Sequence, residues 1–529
     1  MITVPTPPDA VFVWSGQTEE PHTAHRSEGL WEAGGAVVRT VPVAGGLDVR
    51  VRSSAPLSKI ALRWSRGLPG QSLVLGDHWE RSYGDLRWEP PRPDRVLPWY
   101  WMATGPSGRT RGAGVQVRPS ALCSWTADTS GTTLWLDVRS GAEALLPTDR
   151  ELHAATVVEW EATDVDAFAA LRELCAALCP DPSLPSTPVF GSNNWYYAYG
   201  ENFDADAVLR DADVVIHAAN GHPVRPYCVV DAGWSEGGTA PGGPWDQGHG
   251  SFSDMAKVAS RITAAGARPG LWYRPLLSRE PVVGTRRDRL DGSWPLDPSR
   301  PEVLEQVTRD LRRFTEWGFD LVKHDFSTYD VFGRFLSHAD VDSGAPRWSF
   351  ADRTRTTAEV LVEFYRTIAQ ASPALVLGCN TVGHLAAGFE HVHRTGDDTS
   401  GRQWERTRRM GVNTLAFRLA QHRRFYVNDP DCVASTPATP WEKNRQFLDL
   451  VAATGNALFV SVDPRTLTPE VAADLRRAAA VALGGGLPGG AEPLDWQSTT
   501  APRLWQTAEG RRTYDWEHPW GADVQVAGI

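Results

Sequence analysis

Between residues 188 and 463, apolar runs rich in β-branched and aromatic residues alternate with amphipathic runs of helical period, and this alternation leaves few folds open. The apolar runs are PVFGSNNW (188–195), PYCVVDAGW (226–234), RPGLWYRP (268–275), FDLVKHDFS (319–327), ALVLGCN (374–380), HVHRTGDD (391–398), RRFYVND (423–429) and ALFVSVD (457–463), eight in all. Between or after them fall DADAVLRDADVVIHAA, MAKVASRITAA, PEVLEQVTRDLRRFTEW, RTTAEVLVEFYRTIAQA and PEVAADLRRAAAVALG. A strand–helix unit repeated in this way builds a parallel sheet with crossover helices. Eight such units close into a (β/α)8 TIM barrel, expected over residues 185–485.

The flanks read differently. Residues 1–184 carry short alternating segments such as AVVRTVPV, LDVRVRS, TLWLDVRS and ATVVEWEA, which predict an antiparallel β-sandwich. A helical run, DVDAFAALRELCAALC, and a Pro-rich linker, PDPSLPSTP, end that region. Residues 486–529 are Trp-rich, polar and too few for a robust domain, so a small C-terminal β appendage is expected. The formal charge of −11, with basic residues scattered, argues against nucleic acid as a partner. No run of about 18 apolar residues argues for a membrane partner, and the N-terminus lacks a basic, then apolar leader, so the expected location is cytoplasmic. Six cysteines are too sparse for a disulfide framework and read as reduced core thiols, with no metal site expected. A homo-oligomer is compatible with all of this.

In a (β/α)8 barrel chemistry takes place where the strands end, so polar residues closing an apolar run are the first candidates. Here they are Asn193, Asn194 and Trp195; Asp231 and Trp234; Trp272 and Arg274; Lys323 and Asp325; Cys379 and Asn380; Arg394, Asp397 and Asp398; and Asn428, Asp429 and Asp431. Any single Asp among them can be a helix cap or turn former, but a rim of carboxylates and amides is more than capping needs. Retaining cleavage of a glycosidic bond requires two carboxyl groups about 5 Å apart, one ionised and one protonated. Asp325 and Asp398, on different strands at one rim, are candidates for that pair, with Asp397 the rival of Asp398. Lys323, two residues before Asp325 and on the same face, is placed to depress its pKa. Asp398 as an acid needs a raised pKa. Trp195, Trp234 and Trp272 are suited to stacking on sugar rings or to filling the barrel mouth. His324 is expected to face away from Asp325, into the barrel wall.

These motifs, in this order, resemble the alpha-galactosidase (melibiase) group, glycoside hydrolase families 27 and 36, closer to the family 36 branch. Lys-His-Asp (323–325) resembles the family's nucleophile motif, and Arg-x-x-x-Asp (394–398) the stretch carrying its acid/base, which favours Asp398 over Asp397. Asn-Asp-Pro-Asp-Cys (428–432) resembles a motif whose second Asp, here Asp431, contacts sugar hydroxyls. Gly-Cys-Asn (378–380) resembles the family 36 branch, where the Cys lies near the sugar. The resemblance implies a saccharide or glycoside substrate, double displacement through a glycosyl-Asp325 intermediate and no cofactor. Together with the strand-end reading, it leads to expected substrate contacts from Trp195, Asp231, Trp234, Trp272, Arg274, Lys323, Cys379, Asn380, Arg394 and Asp431.

One position departs from the pattern. The family places two adjacent carboxylates at the second strand, gripping the 4-OH and 6-OH of galactose, whereas this chain reads Asp231-Ala232-Gly233-Trp234. Either Arg274 or Glu236 substitutes, or the sugar differs at C4 or C6, with beta-L-arabinopyranose the leading alternative. A transglycosylase would use the same residues. The readings from other classes are a barrel that binds sugar without cutting it and a metal enzyme using Asp231, Asp325 and Asp398 as ligands, which Lys323 argues against.

Overall fold

The structure is a computed structural model that describes the chain apart from residues 17, 202, 239–241, 285–288, 291, 337–347 and 518–529. The N-terminal residues form two antiparallel sheets, of nine and six strands among the described residues. Alternation places Val11, Val13, Val38, Val49, Leu62, Leu134 and Val157 in one hydrophobic core, with the rings of Trp64 and Trp125 6.0 Å apart. The run after these sheets is helical over Ala167–Leu178, where Asp166 caps the first turn by accepting from the Ala169 N–H.

The repeated units build a third sheet, all parallel. Its strands are Phe190–Asn193, Tyr227–Val230, Arg268–Tyr273, Leu321–His324, Leu375–Gly378, Val392–Arg394 and Val427–Asp429, then Val433–Ser435 and Leu458–Val462. They are buried on both faces, which is why they read as continuous apolar runs. Consecutive strands pair from Phe190–Asn193 through to Val427–Asp429, while Leu458–Val462 pairs with Phe190–Asn193 on one side and Val433–Ser435 on the other. The sheet curls back until its two end segments are separated only by Pro430, Asp431 and Cys432. The expected seventh strand is therefore two short segments with a turn between them, and Asp431 sits in the turn in the left-handed region (φ 74).

Helices cross between the strands, and their starts have a local cause. Asp204 and Asp254 accept from the third residue of Ala205–Ala219 and Met255–Ala265, and Thr356 with Glu359 forms a capping box on Thr357–Ala371. Trp404–Gln421 is a continuous helical stretch, including a π-helical turn at Arg408–Asn413, that no expected run covered. The last strands, Ala491–Pro493, Leu504–Thr507 and Gly510–Thr513, form a three-stranded antiparallel sheet. Among the described residues no helix is long and apolar enough to cross a membrane. All six cysteines are unpaired and buried.

Candidate active site

The residues ending the parallel strands converge on one rim. Asp325 follows the fourth strand, its N–H bonded to the Tyr273 carbonyl at 2.9 Å. Its carboxylate accepts from the indole Nε1 of Trp272 at 3.0 Å and from the Phe326 N–H at 2.7 Å, so both oxygens are held. The bend that aims the carboxylate is a left-handed turn at Phe326 (φ 61). Asn380 (φ 56), which follows the fifth strand, and Asp431 make three non-glycine residues in this region at one rim. Such conformations cost about 1–3 kcal/mol each and gather at functional sites.

Lys323 departs from expectation. Its ammonium bonds the Asp231 carboxylate at 2.7 Å instead of Asp325, and the same oxygen accepts from Asn193 Nδ2 at 2.6 Å. Burial opposes the Lys323 charge, but Asp231 outweighs it and the ammonium pKa lies well above its usual value. Asp231 is thus paired with the Lys323 ammonium across the rim. Trp272 is placed as a partner of Asp325.

Asp398 leaves the sixth strand on a short loop. Its carboxylate lies 3.1 Å from the Arg394 guanidinium and 3.7 Å from that of Arg81. Burial raises its pKa, but Arg394, Arg81 and Lys323 together outweigh burial and bring it down to about 2. This corrects the expectation of a raised value: nothing in the sequence near residue 398 announces Arg81, which comes from the N-terminal sheets. Asp397 is clamped by Arg81 at 2.9 Å and Arg406 at 2.6 Å rather than capping a helix. The Asp398 side chain is 37% exposed against 12% for Asp397, so Asp398 is the more open of the two carboxyls.

Arg394 also pairs with Asp431 at 2.9 Å and points a nitrogen at Cys379 Sγ, 3.5 Å away. Asp431 further accepts from Tyr196 and from the Thr399 N–H and hydroxyl. Next to it, burial raises Asp429 to about 7 despite the opposing field of Arg394. Asn380 Nδ2 donates to Glu80 at 2.9 Å, and Trp195, half-buried, sits at the rim against Tyr199.

Three expected substrate contacts do not fit their assigned roles. Trp234 is fully buried, its Nε1 bonded to the Trp272 carbonyl and its ring against Phe314 and Trp317, so it is core and has no face for a sugar. Arg274 is engaged by Asp330 at 2.6 Å and lies over the Phe326 ring, which commits it to holding the Asp325 turn. Cys379 is buried beneath Arg394. Neither substitute proposed for the missing carboxylate at Ala232 is placed for it, because Glu236 is exposed and bonded to Gln247.

The N-terminal sheets contribute the part that the sequence did not reveal. The segment Asp77–Leu86 docks on the rim through Ser82, whose N–H donates to the Thr395 carbonyl and whose carbonyl accepts from the Asp397 N–H, at 2.9 and 2.8 Å. Buried Arg418 pairs with Asp77 at 2.8 Å, and the Asn413 amide bonds both the N–H and carbonyl of Leu86. This docking delivers Arg81 to Asp397 and Asp398, and Glu80 to Asn380. Burial lifts Glu80 to about 7. Among the described residues no cluster of three or more His, Cys, Asp or Glu is arranged to hold a metal ion.

No protein-family profile and no curated protein sequence matches this chain. Solved structures do. The alpha-galactosidase of Thermus thermophilus, solved with p-nitrophenyl alpha-D-galactopyranoside, superposes with a TM-score of 0.61 at 18% identity, covering 96% of this chain and 99% of that one. The family 36 alpha-galactosidase from Geobacillus stearothermophilus gives 0.56 at 12%, covering 90% and 74%. The alpha-galactosidase from Lactobacillus brevis gives 0.55 at 13%, covering 90% and 70%. The chain shares its fold with these alpha-galactosidases.

Proposed function

We propose that the curled parallel sheet is the (β/α)8 barrel of a retaining glycoside hydrolase that removes a terminal galactose-configured sugar. The observation that carries this reading is the pair of rim carboxylates, Asp325 held by two donors and Asp398 open between two arginines, on a fold shared with alpha-galactosidases. An Asp325 oxygen attacks the anomeric carbon while Asp398 gives a proton to the departing glycosidic oxygen, leaving a glycosyl-Asp325 ester. Water then attacks that ester, its proton passing to Asp398, and the sugar leaves with its original configuration. Arg394, Arg81 and Lys323 favour the ionised form of Asp398, the base form that the second step needs. The first step needs its proton, which a bound sugar favours by displacing water from around the carboxyl. The mechanism calls for no cofactor.

This assignment gives Arg81 a measurable effect. Removing a cation that favours the carboxylate raises the acid's pKa, so Asp398 stays protonated to higher pH. In an Arg81→Gln variant the alkaline limb of the kcat–pH profile is expected to move upward, and an unmoved limb would count against Asp398 as the acid.

Ala232 favours a second substrate within the same class. A galactose 6-OH finds no carboxylate there, a loss of about 1.5–3 kcal/mol, roughly 10- to 150-fold. beta-L-Arabinopyranosides lack that hydroxymethyl group and do not suffer the loss. The test is a panel of nitrophenyl glycosides with the released anomer followed by proton NMR. Turnover of alpha-galactosides or beta-L-arabinopyranosides with retention is expected, and inversion, or no turnover of any glycoside, refutes the proposal. Ala232→Asp is expected to raise the galactoside-to-arabinoside ratio of kcat/KM by about 10-fold or more.

A further inference from the structure

Behind the rim lies a buried cluster that the proposed chemistry does not use. His324, Glu390 and His393 are each at most 1% exposed. His324 and His393 precede Asp325 and Arg394, and strand alternation turns them to the opposite face of the sheet. They occupy one row across three strands, His324 beside Gly378 and Gly378 beside His393. The Glu390 carboxylate lies over that row. One oxygen bonds His393 Nδ1 at 2.8 Å, and the other lies 3.3 Å from His324 Nε2. Only glycine leaves room for it, since a Cβ at Gly378 would overlap the carboxylate. The row is braced from outside, where the His393 ring stacks on Tyr426 with centroids 4.3 Å apart.

Asp325 and Asp398 issue from strands that do not touch, because Leu375–Gly378 lies between them. Their separation spans two inter-strand spacings, about 10 Å at the backbone. Hydrogen bonds along the ladder leave small lateral shifts available at strand ends, where the sheet frays into loops. A carboxylate reaching both neighbours across the middle strand removes that freedom at the row where the reacting groups begin. Burying an ion without a Lys or Arg partner is costly, and both histidines are spent on it.

Resting on the glycosidase reading, we propose that Glu390 is a positioning residue. It bridges His324 and His393 behind the sheet and so fixes the strand that ends in Asp325 against the strand that carries Arg394 and Asp398. Glu390→Ala opens the clasp, whereas Glu390→Gln keeps its shape, with one amide atom accepting from one imidazole and the other donating to the second.

The readout compares an alkyl galactoside, which needs a well-placed acid, with a dinitrophenyl galactoside, which does not. Glu390→Ala is expected to lower kcat on the alkyl glycoside about 100-fold and on the dinitrophenyl glycoside about 10-fold or less, with KM nearly unchanged. Glu390→Gln recovers most of that loss. Hydrogen exchange in segments 319–328 and 391–399 is expected to quicken in Glu390→Ala and not in Glu390→Gln. Equal losses on both substrates, or exchange unchanged in both segments, overturns the proposal. A wild-type protein inactive on every glycoside defeats the glycosidase reading instead, and the exchange measurement then decides on the clasp alone. Should Glu390→Ala not fold, His393→Asn removes one arm and is read in the same way.

Discussion

An Asp325→Gly protein is expected to lose at least about 10⁴-fold of its turnover, and sodium azide is expected to restore part of it. The substitution removes the attacking oxygen and leaves a space of carboxylate size lined by two unsatisfied donors, Trp272 Nε1 and the Phe326 N–H. A small anion fits that space and is held by the same donors. Attack from there proceeds on the face opposite the leaving group, so an alpha-galactoside gives a beta-galactosyl azide. Product NMR checks the prediction. A product of alpha configuration, or turnover that survives the substitution, would remove Asp325 from the nucleophile's role.

The second large effect separates Asp398 from its neighbour. Asp398→Ala is expected to lower kcat/KM on an alkyl galactoside by about 10³-fold or more, while a dinitrophenyl galactoside, whose leaving group needs no proton, loses far less in the first step. On the activated substrate the glycosyl-enzyme then accumulates, because no base remains to prepare the water, and a pre-steady-state burst of dinitrophenol reports it. Asp397→Asn is expected to show no such dependence on the leaving group, since Asp397 is occupied by Arg81 and Arg406. The opposite pattern would transfer the assignment to Asp397.

Legibility in the sequence followed the range of the interactions. The parallel strands were visible because both faces are buried, and burial writes apolar runs such as ALVLGC directly into the chain. Carboxylates at strand ends were visible for the same reason, as polar residues interrupting those runs. What alternation could not give was the partner on the next strand. Lys323 shares a face with Asp325, yet its ammonium reaches Asp231 because that carboxylate also collects Asn193. Trp234 stands at a strand end like Trp272, but its ring turns outward against Phe314 and Trp317. Arg81 was out of reach altogether, lying 317 positions before Asp398 in a segment whose own composition marks nothing. Most expected strands ran one to four residues too long at the end where the chain bends into the rim. The seventh was misread because Asp-Pro-Asp interrupts a strand that resumes at Val433.

The docking of Asp77–Leu86 changes what the N-terminal sheets are for. Arg418, Asn413 and the Ser82 bridge bind that segment to the rim, and through it the side chains of Arg81 and Glu80 reach Asp398 and Asn380. The sheets are therefore a structural part of the rim and, on the proposed function, not a detachable accessory. Anyone shortening this protein to a minimal catalytic unit, or exchanging its front domain for another, has to carry this ten-residue tongue along, or rebuild the side of the pocket that it closes.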